Sequence, residues 1–543
     1  MNRFFLTTAV LLTLATLANL ARSDDALHIT IDRLIEADAS LKFAPLTSDA
    51  EFLRRATLDL AGRTPTREEL TSFLADSSAD KRTRTIDRLL ASGDYPQRMS
   101  QAFHNLLMER LGDSDDWQAY LYRSFAANKP WDVMSRELLS PNADDEASRA
   151  SAFFYVKRLE NYGQNPVDIP GLVRDVGRMF LGVDVQCAQC HDHLFVDEYK
   201  QEYFQGLLAF VGNLEIRRDV SFAAVAEKPL TKKIEFVSVF VQQPRSVGPQ
   251  LPGRAEVAIP MFAAGEEFEI APDRKTKFPG KPKFSTLAIL ASDLPTAENP
   301  YFARNIANRV WWMLMGRGLV HPLDLAHSDN PPSHPELLDA LAASLVASKF
   351  DLRYLIREIT LSRAYQRSSV WPDDLGERPV KPTYQVAFER PLSTQQLLRA
   401  LLVATDELQR VTADAKPSAA DLPPRSEQLI KLQTRLDKSF APPPREPDGE
   451  FAPTVKGSLF LMNDEELLKL LSPQENNLAA QLLAENDPQQ FATRLYTSVL
   501  SRLPSEEESR EVAEWLAGKE PKEQLTRELL WALIASNEFC LNH

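Results

Sequence analysis

Apolar residues recur along most of this chain with the spacing of one face of an α-helix, and this pattern constrains the fold most. In the clearest case, Leu172, Val176, Met179 and Phe180 share one face, and Gly182 can end the helix. The same periodicity runs through much of the remaining sequence, in residues 28–112, 117–139, 203–211, 299–316, 335–341, 352–365, 392–408 and 464–539. The pattern predicts a mainly α protein.

Some of these helices also carry start signals. Thr66 and Glu69 stand in capping-box spacing ahead of one helix. Ser333 and Glu336 repeat that spacing around His334, so a capping box accounts for this histidine without any chemistry. The polar residues of an earlier helix are expected to form a solvated or ion-paired face, namely Arg54, Arg55 and Asp59.

Residues 214–290 interrupt the helical pattern. Within them, residues 233–243 and 256–270 alternate and are rich in Val and Phe, with Pro and Gly between. We therefore predict two helical domains with a small β-rich insertion between them. The predicted divisions are a signal peptide (1–23), an N-terminal helical domain (24–213), the β-rich insertion (214–290), a C-terminal helical domain (291–440), a proline-rich linker or loop (441–456) and a C-terminal helical region (457–543).

The first residues have the features of a secretory signal peptide. Arg3 supplies a positive start, residues 4–20 are largely apolar, and Ala21 and Ser23 offer a small-x-small cleavage site. The run is too short and wrongly flanked for a lasting membrane anchor, and no later stretch of about 18 apolar residues follows. We expect an exported protein, periplasmic, extracellular or at the cell surface, with no membrane span in the mature chain.

The charge of the chain limits its partners. Its 62 Lys and Arg residues stand against 76 Asp and Glu residues, a net charge of −14. Such a surface argues against nucleic acid and anionic lipid as partners, because both repel an acidic protein. Other exported proteins or redox partners are therefore expected, and the sequence leaves the oligomeric state open.

One short stretch points to chemistry, the run Cys187-Ala188-Gln189-Cys190-His191. Its C-x-x-C-H spacing is that of c-type haem attachment. Cys187 and Cys190 then each form a thioether with a haem vinyl group, and His191 is held under the iron as an axial ligand. Covalent haem c is the predicted cofactor. Bacterial haem attachment takes place outside the cytoplasm, in agreement with the predicted export.

Two other interpretations of the motif stay open. The two cysteines and either His191 or His193 supply three zinc ligands, with Asp192, Asp197 or a distant residue as the fourth. The cysteines can also form a reducible disulfide or pack as thiols inside a helical core. Beside a haem, His193 lies too close to His191 to bind the opposite face of the iron, so it is expected to fix the loop behind the iron ligand.

The sequence does not identify a sixth iron ligand. Met179 lies on an apolar helix face and His104 on an earlier helix, and core packing explains both. Arg174 and Arg178 lie about one helical turn apart and can reach haem propionates, although a solvated face is the simpler explanation. Cys540 stands in an apolar tail, so a buried free thiol is expected there.

Taken together, these motifs resemble a large family of exported planctomycete proteins that pair two domains of unknown function, often joined to a cytochrome-c-like domain. The resemblance rests on residues 54–66, 187–193, 299–304, 308–311, 316–320, 330–338, 390–393 and 461–463. Two residues depart from it. Leu194 stands where the family usually has proline, and His321 stands where the family more often has aspartate. The resemblance implies an architecture and a compartment but no established activity.

The same resemblance implies that residues 299–338 pack on the first helical domain. Arg304, Asn308 and Arg309 recur with the motifs of that domain, and polar residues on an apolar helix need partners if they are buried. Two functional classes follow from the whole sequence. The protein is either an exported haem protein for electron transfer or redox chemistry, or a non-catalytic surface or complex-forming module whose C-x-x-C-H binds zinc or is structural. Whether it is an enzyme stays open.

Overall fold

The computed structural model of the protein describes residues 25–161, 165–377, 383–415, 422–423, 425–440, 457, 460 and 463–543. The predicted signal peptide and the predicted proline-rich segment at 441–456 lie outside the described residues. Within the described part of the chain, no helix is long and apolar enough to cross a membrane.

The described residues fold mainly into α-helices, which confirms the predicted fold class. The helices that precede the insertion are α1 (Leu27–Ile35), α2 (Asp49–Ala61), α3 (Arg67–Ala75), α4 (Lys81–Leu90), α5 (Asp94–Met108), α6 (Asp115–Ala126), α7 (Trp131–Leu139), α8 (Phe153–Arg158), α9 (Ile169–Val176) and α10 (Gln201–Val211). The helices that follow it are α11 (Thr286–Asp293), α12 (Pro300–Met315), α13 (Pro335–Ala347), α14 (Leu352–Leu361), α15 (Arg363–Gln366), α16 (Thr394–Ala404), α17 (Leu408–Thr412), α18 (Glu427–Phe440), α19 (Glu465–Leu470), α20 (Leu478–Ala484), α21 (Pro488–Val499), α22 (Glu506–Leu516), α23 (Lys522–Ile534) and α24 (Asn537–Cys540).

Of the two capping boxes predicted from the sequence, one is present in the structure and the other is not. The capping box of Thr66 and Glu69 is present at the start of α3, where each side chain accepts from the other residue's backbone N–H. The capping box predicted around His334 is wrong. His334 itself occupies the cap of α13 and makes no side-chain capping bond. The reason is that the backbone N–H of Ser333 donates to the carbonyl of Leu319, so that residue belongs to the preceding turn.

The predicted β-rich insertion is present as three separate antiparallel hairpins. They pair β1 (Leu214–Ile216) with β2 (Val225–Glu227), β3 (Ile234–Phe236) with β4 (Arg245–Val247), and β5 (Phe268–Ile270) with β6 (Lys281–Pro282). The strands are shorter than the alternating patterns suggest. Each hairpin has only two strands, so one strand pair carries the whole of each small sheet.

One large hydrophobic core joins most of the helices on both sides of the insertion. It extends from Leu27 in α1 to Tyr384, and Phe180, Phe302 and Trp311 are fully buried within it. Helix α12 therefore packs on the first helical region, as the resemblance implied. Asn308 and Arg309 are buried there with partners. Arg304 instead stays at the surface in an ion pair with Asp339.

A second core is formed by the helices from α16 onward. It is built around Leu401, Leu482, Phe491 and Phe539, and Leu58 of α2 reaches into it from the first half. A short antiparallel pair, β7 (Arg390–Pro391) with β8 (Leu541–Asn542), brings the end of the described chain back beside α2. Helix α2 thus lies between the two cores.

The polar residues of α2 are buried, so the solvated alternative of the predicted face is wrong. The ion-paired alternative holds for Arg55, which pairs with Glu51, and for Asp59, which pairs with Arg390. Arg54 donates to the carbonyl of Phe539 at 2.8 Å, and Arg55 donates to the carbonyl of Arg367 at 2.7 Å. Asp59 binds the guanidinium of Arg390 through both carboxylate oxygens, at 3.0 and 2.8 Å. These residues meet backbone and charged groups of the second half because the fold places the chain's last residues against α2.

Candidate functional site

The loop that carries the two cysteines is held at its start by a tight helix end. Helix α9 continues through a π-helical turn, Gly177–Leu181, and stops at Gly182, which has a left-handed φ of 71°. A side chain at this position would place its Cβ 2.8 Å from Oδ1 of Asn305. Glycine is therefore required twice, for the backbone angle and for the close approach of α12.

The cysteine pair itself lies at the surface. Cys187 opens a 3-10 turn, Cys187–Gln189, and Cys187 and Cys190 are both exposed free thiols. Ala188 between them is fully buried and anchors the turn to the first core. A disulfide between the two is absent here, and the thiols do not pack inside a helical core. This arrangement leaves both sulfur atoms accessible to a reagent or a cofactor from outside.

His191 has the orientation that a metal-binding histidine needs. Its Nδ1 lies 2.6 Å from the carbonyl oxygen of Asp192. A carbonyl can only accept, so Nδ1 carries the proton and Nε2 keeps its lone pair. A backbone carbonyl on Nδ1–H is the usual means by which proteins fix this tautomer for ligation through Nε2. The ring also packs against Phe240, with the ring centroids 4.7 Å apart.

His193 has the opposite hydrogen-bond pattern. Its Nδ1 accepts the backbone N–H groups of Phe195, at 3.2 Å, and Val196, at 3.0 Å. Its own backbone N–H donates to the carbonyl of Tyr199 at 2.8 Å. Because Nδ1 is used as an acceptor, the neutral ring carries its proton on Nε2 and has no free lone pair for a metal. This geometry favours the loop-fixing role over the role of alternative metal ligand.

Exposed apolar side chains surround the loop on one side. This apolar rim comprises Leu194, Phe195, Val237, Val239, Phe240 and Val241, and each of them is roughly half to four-fifths exposed. The rim is fixed to the motif by a hydrogen bond from the backbone N–H of Val239 to the carbonyl of Cys190, at 3.1 Å. Exposed apolar side chains grouped near one motif are a feature of surfaces that bind apolar partners. Part of it comes from the β-rich insertion.

The zinc alternative has less support from the geometry. In the described part of the chain, no group of three or more His, Cys, Asp or Glu side chains is arranged to hold a metal ion. Near the motif, the carboxylate of Asp192 accepts the backbone N–H of Gln201 at 2.8 Å and lies 3.8 Å from Arg245. The carboxylate of Asp192, one of the candidate fourth zinc ligands, is therefore already engaged by protein groups.

A buried ionic network holds α9 against the second half of the first core. Arg178 binds Glu109 at 2.5 Å, Asp324 at 2.9 Å and Asp175 at 3.4 Å. Asp324 also pairs with Arg309 of α12. The sequence treated Arg178 as part of a solvated face, and this prediction is wrong, because its guanidinium is surrounded by three carboxylates. The network fixes the helix that delivers the cysteine loop.

Residues 324–328 form hydrogen bonds with the chain on both sides of the cysteine motif. The backbone N–H of Asp184 donates to the carbonyl of Asp324 at 2.8 Å, and Ala326 donates to the carbonyl of Gly182 at 3.1 Å. Ser328 donates to the carboxylate of Glu198 at 3.0 Å. Sequence reasoning missed this segment, because its contacts with the motif join residues more than a hundred positions apart.

The other residues considered from the sequence fall in different places. Met179 is buried in the first core, as expected. His104 accepts a hydrogen bond from Nε1 of Trp117 at 3.0 Å and lines a cavity between the two cores. Arg174 lines the same cavity. Cys540 is a free thiol in a partly buried position, and burial raises its pKa to about 11.

This inter-core cavity has a volume of about 2460 Å³ and is partly open to solvent. Helices α5, α9, α12, α16 and α18 contribute to its wall. Asp184 belongs to the wall, and its carboxylate accepts the backbone N–H of Gln186 at 2.9 Å, so the cavity reaches the base of the cysteine loop. No local sequence pattern signals this cavity, because its walls come from both halves of the chain.

The fold and the site define a helical protein in which two sequence domains share a core and an exposed Cys-Cys-His loop lies near their junction. Residues 30–215 match the profile of PSCyt2, a protein of unknown function (DUF1549). Residues 288–516 match PSD1, a protein of unknown function (DUF1553). The chain is thus similar to these two domain families on either side of the β-rich insertion. No curated protein and no solved structure gives a significant match.

Proposed function

We propose that this protein is an exported c-type haem protein that takes part in electron transfer or redox chemistry. The observation that carries the proposal is the hydrogen bond of His191 Nδ1 to the Asp192 carbonyl. It leaves Nε2 as the available ligand directly after two exposed cysteines. The name of the first matched domain, PSCyt2, also points toward planctomycete cytochromes.

Each protein group has a defined task in this proposal. The thiols of Cys187 and Cys190 would hold the haem through thioether bonds formed by addition to its two vinyl groups, with each S–H proton passing to carbon. His191 would bind the iron through Nε2. Bound haem supplies one-electron chemistry. The apolar rim provides the hydrophobic surface against which a flat cofactor would pack, and this contact would exclude water from the side of the loop that faces the rim.

His193 and the buried ionic network act indirectly in this proposal. His193 holds the chain after the motif in a turn by accepting two backbone N–H groups. Arg178 and Asp324 hold α9 in place at the start of the loop. A rigid loop matters because the two sulfur atoms and the imidazole must meet one cofactor together, and each lost constraint lowers the yield of correct attachment.

The experiment is to express the full chain in a bacterial host that has haem-attachment machinery and to record the absorption spectrum of the exported fraction. We expect a Soret band and haem that stays with the polypeptide through acid-acetone extraction. Cys187→Ser with Cys190→Ser is expected to remove the covalent haem. Cys540→Ser is the matched control, because it removes the third cysteine at a distant, partly buried site.

His191→Ala separates attachment from ligation. We expect it to shift the Soret band or to prevent maturation while both cysteines are still present. Metal analysis of the same samples tests the zinc alternative, which predicts a colourless protein with stoichiometric zinc that is released when the thiolates are protonated at low pH. A colourless, metal-free protein that folds equally well after both cysteines are replaced would overturn the proposal and leave a structural module.

Export is part of the proposal and is tested separately. We expect the haem-containing chain in the periplasmic or extracellular fraction, and we expect deletion of residues 2–23 to keep the chain in the cytoplasm without covalent haem. Recovery of the intact chain with its first residues still attached in the cytoplasm of the maturation host would contradict the predicted signal peptide.

A further inference from the structure

The inter-core cavity has a charge opposite to that of the whole protein. Among the described residues of its wall, ten are Arg or Lys and six are Asp or Glu, although the chain carries a net charge of −14. Two of the basic residues are neutralised by carboxylates that are not part of the wall: Arg390 pairs with Asp59, and Arg399 pairs with Asp94. The remaining wall still has more basic than acidic side chains. A concave surface of one sign concentrates ligands of the opposite sign.

Two arginines, one in α9 and one in the π-helical turn that follows it, show the difference between a structural and an available guanidinium. Arg178 is saturated by Glu109, Asp175 and Asp324. Arg174 lies one turn earlier and also lines the cavity. Its guanidinium makes no hydrogen bond or ion pair with any described residue, and its Nε is buried. The buried Nε lacks an acceptor, so this position is suited to an anionic ligand.

His104 lines the same cavity as Arg174. Its Nδ1 accepts from Nε1 of Trp117, so the proton of the neutral ring is on Nε2. Burial lowers the pKa of His104. Asp113 opposes this effect and the nearby charge of Arg425 adds to it. The ring is therefore a neutral hydrogen-bond donor at neutral pH.

We propose that the inter-core cavity binds an organic anion that carries carboxylate or sulfate groups, with Arg174 pairing with the anionic group. A guanidinium matches the planar fork of a carboxylate and the tetrahedral oxygens of a sulfate. The ligand is organic because the cavity is much larger than a simple ion, and amides and aromatic rings suited to its uncharged part line the wall: Gln97, Gln101, Gln395, Gln433, Trp312 and Phe388. The proposal does not rest on haem binding.

The test measures binding of citrate and of inorganic sulfate to the purified full chain by isothermal titration calorimetry. We expect saturable binding of citrate, tighter than that of sulfate because citrate occupies more of the cavity. Arg174→Gln is expected to weaken citrate binding about tenfold or more, since it removes a charge-assisted hydrogen bond. The control is Arg510→Gln, an exposed arginine of α22 that pairs with Glu507, and its citrate affinity is expected to be unchanged.

The Cys187→Ser/Cys190→Ser variant separates this proposal from the haem proposal. Citrate binding to both the parent and this variant supports a ligand site that is independent of haem. Binding to the haem-free variant alone would show that Arg174 serves the haem's own propionates and would overturn the inference. Absence of saturable binding to either probe, or equal weakening by Arg174→Gln and Arg510→Gln, would also overturn it.

Discussion

The carboxylate of Asp324 is the point at which the structure predicts the largest effect of a conservative substitution. It binds two buried guanidiniums, accepting from Nε of Arg178 at 2.9 Å and pairing through its other oxygen with Arg309. In Asp324→Asn one of these oxygens becomes an amide nitrogen. That group is a donor, so it meets a guanidinium that also can only donate. Arg178 keeps Glu109 and Asp175 as counterions, whereas Arg309 keeps no other carboxylate partner among the described residues.

The magnitude follows from the burial of the three side chains. Arg178 and Arg309 are 7% and 6% exposed, and Asp324 is 14% exposed. Removing one partner of a buried ion pair costs ~3–5 kcal/mol, because the remaining charge is left without compensation. The amide keeps one acceptor and the site is not completely buried. We therefore expect the free energy of unfolding of the first core to fall by about 3 kcal/mol, the lower end of that range.

The matched control is Asp339→Asn, which breaks another ion pair of α12. Arg304 and Asp339 are 51% and 42% exposed, so we expect a loss of about 1 kcal/mol or less. Urea unfolding followed by tryptophan fluorescence measures both variants, since Trp117 is one of the buried tryptophans of the first core. Equal losses in the two variants would refute the argument that the Asp324 carboxylate compensates buried charge.

Two further predictions concern pH and thiol reactivity. Hydrogen bonds from its arginine partner lower the pKa of Glu508 from 4.5 to about 2, so its carboxylate contributes stability that is present above pH 4.5 and lost as the pH falls toward 2. The difference in melting temperature between the parent and Glu508→Gln should therefore shrink over that window, with the exposed Glu507→Gln as control, and a constant difference would contradict the shift. In protein made without haem-attachment machinery, iodoacetamide at neutral pH should modify the exposed Cys187 and Cys190 well before Cys540, because burial raises the pKa of the Cys540 thiol to about 11. Peptide mass spectrometry measures the three modification rates, and equal rates would show that Cys540 is not protected by burial.

Local sequence signals predicted the elements that depend on neighbouring residues. The helix ending at Gly182 and the capping box at Thr66 are present, because a helix end is set by contacts within one turn. The β-rich insertion is also present. The capping box at His334 failed because Ser333 is hydrogen-bonded to Leu319, a contact that lies outside the local pattern. Its failure shows where tertiary contacts override a capping signal.

Charged residues were the least predictable from sequence. Arg55 and Arg178 have the spacing of a solvated helix face, yet both are buried. An exposed and a buried arginine look alike in the sequence, because burial depends on carboxylates and carbonyls that the fold brings from distant segments. Asp324, which pairs with Arg178, lies 146 positions from it in the sequence. Arg367, whose backbone carbonyl accepts from Arg55, lies 312 positions from Arg55.

The sequence by itself determined the helical class, the β-rich insertion and the residues of the C-x-x-C-H motif, because periodicity and motif spacing are properties of short segments. The tertiary structure decided the surroundings of the motif. It assigned opposite tautomers to His191 and His193, and it placed Val239, from the insertion's part of the apolar rim, beside Cys190. It also left Arg174 facing a cavity without a described partner. These features depend on which distant groups meet, and only packing of the two cores fixes that.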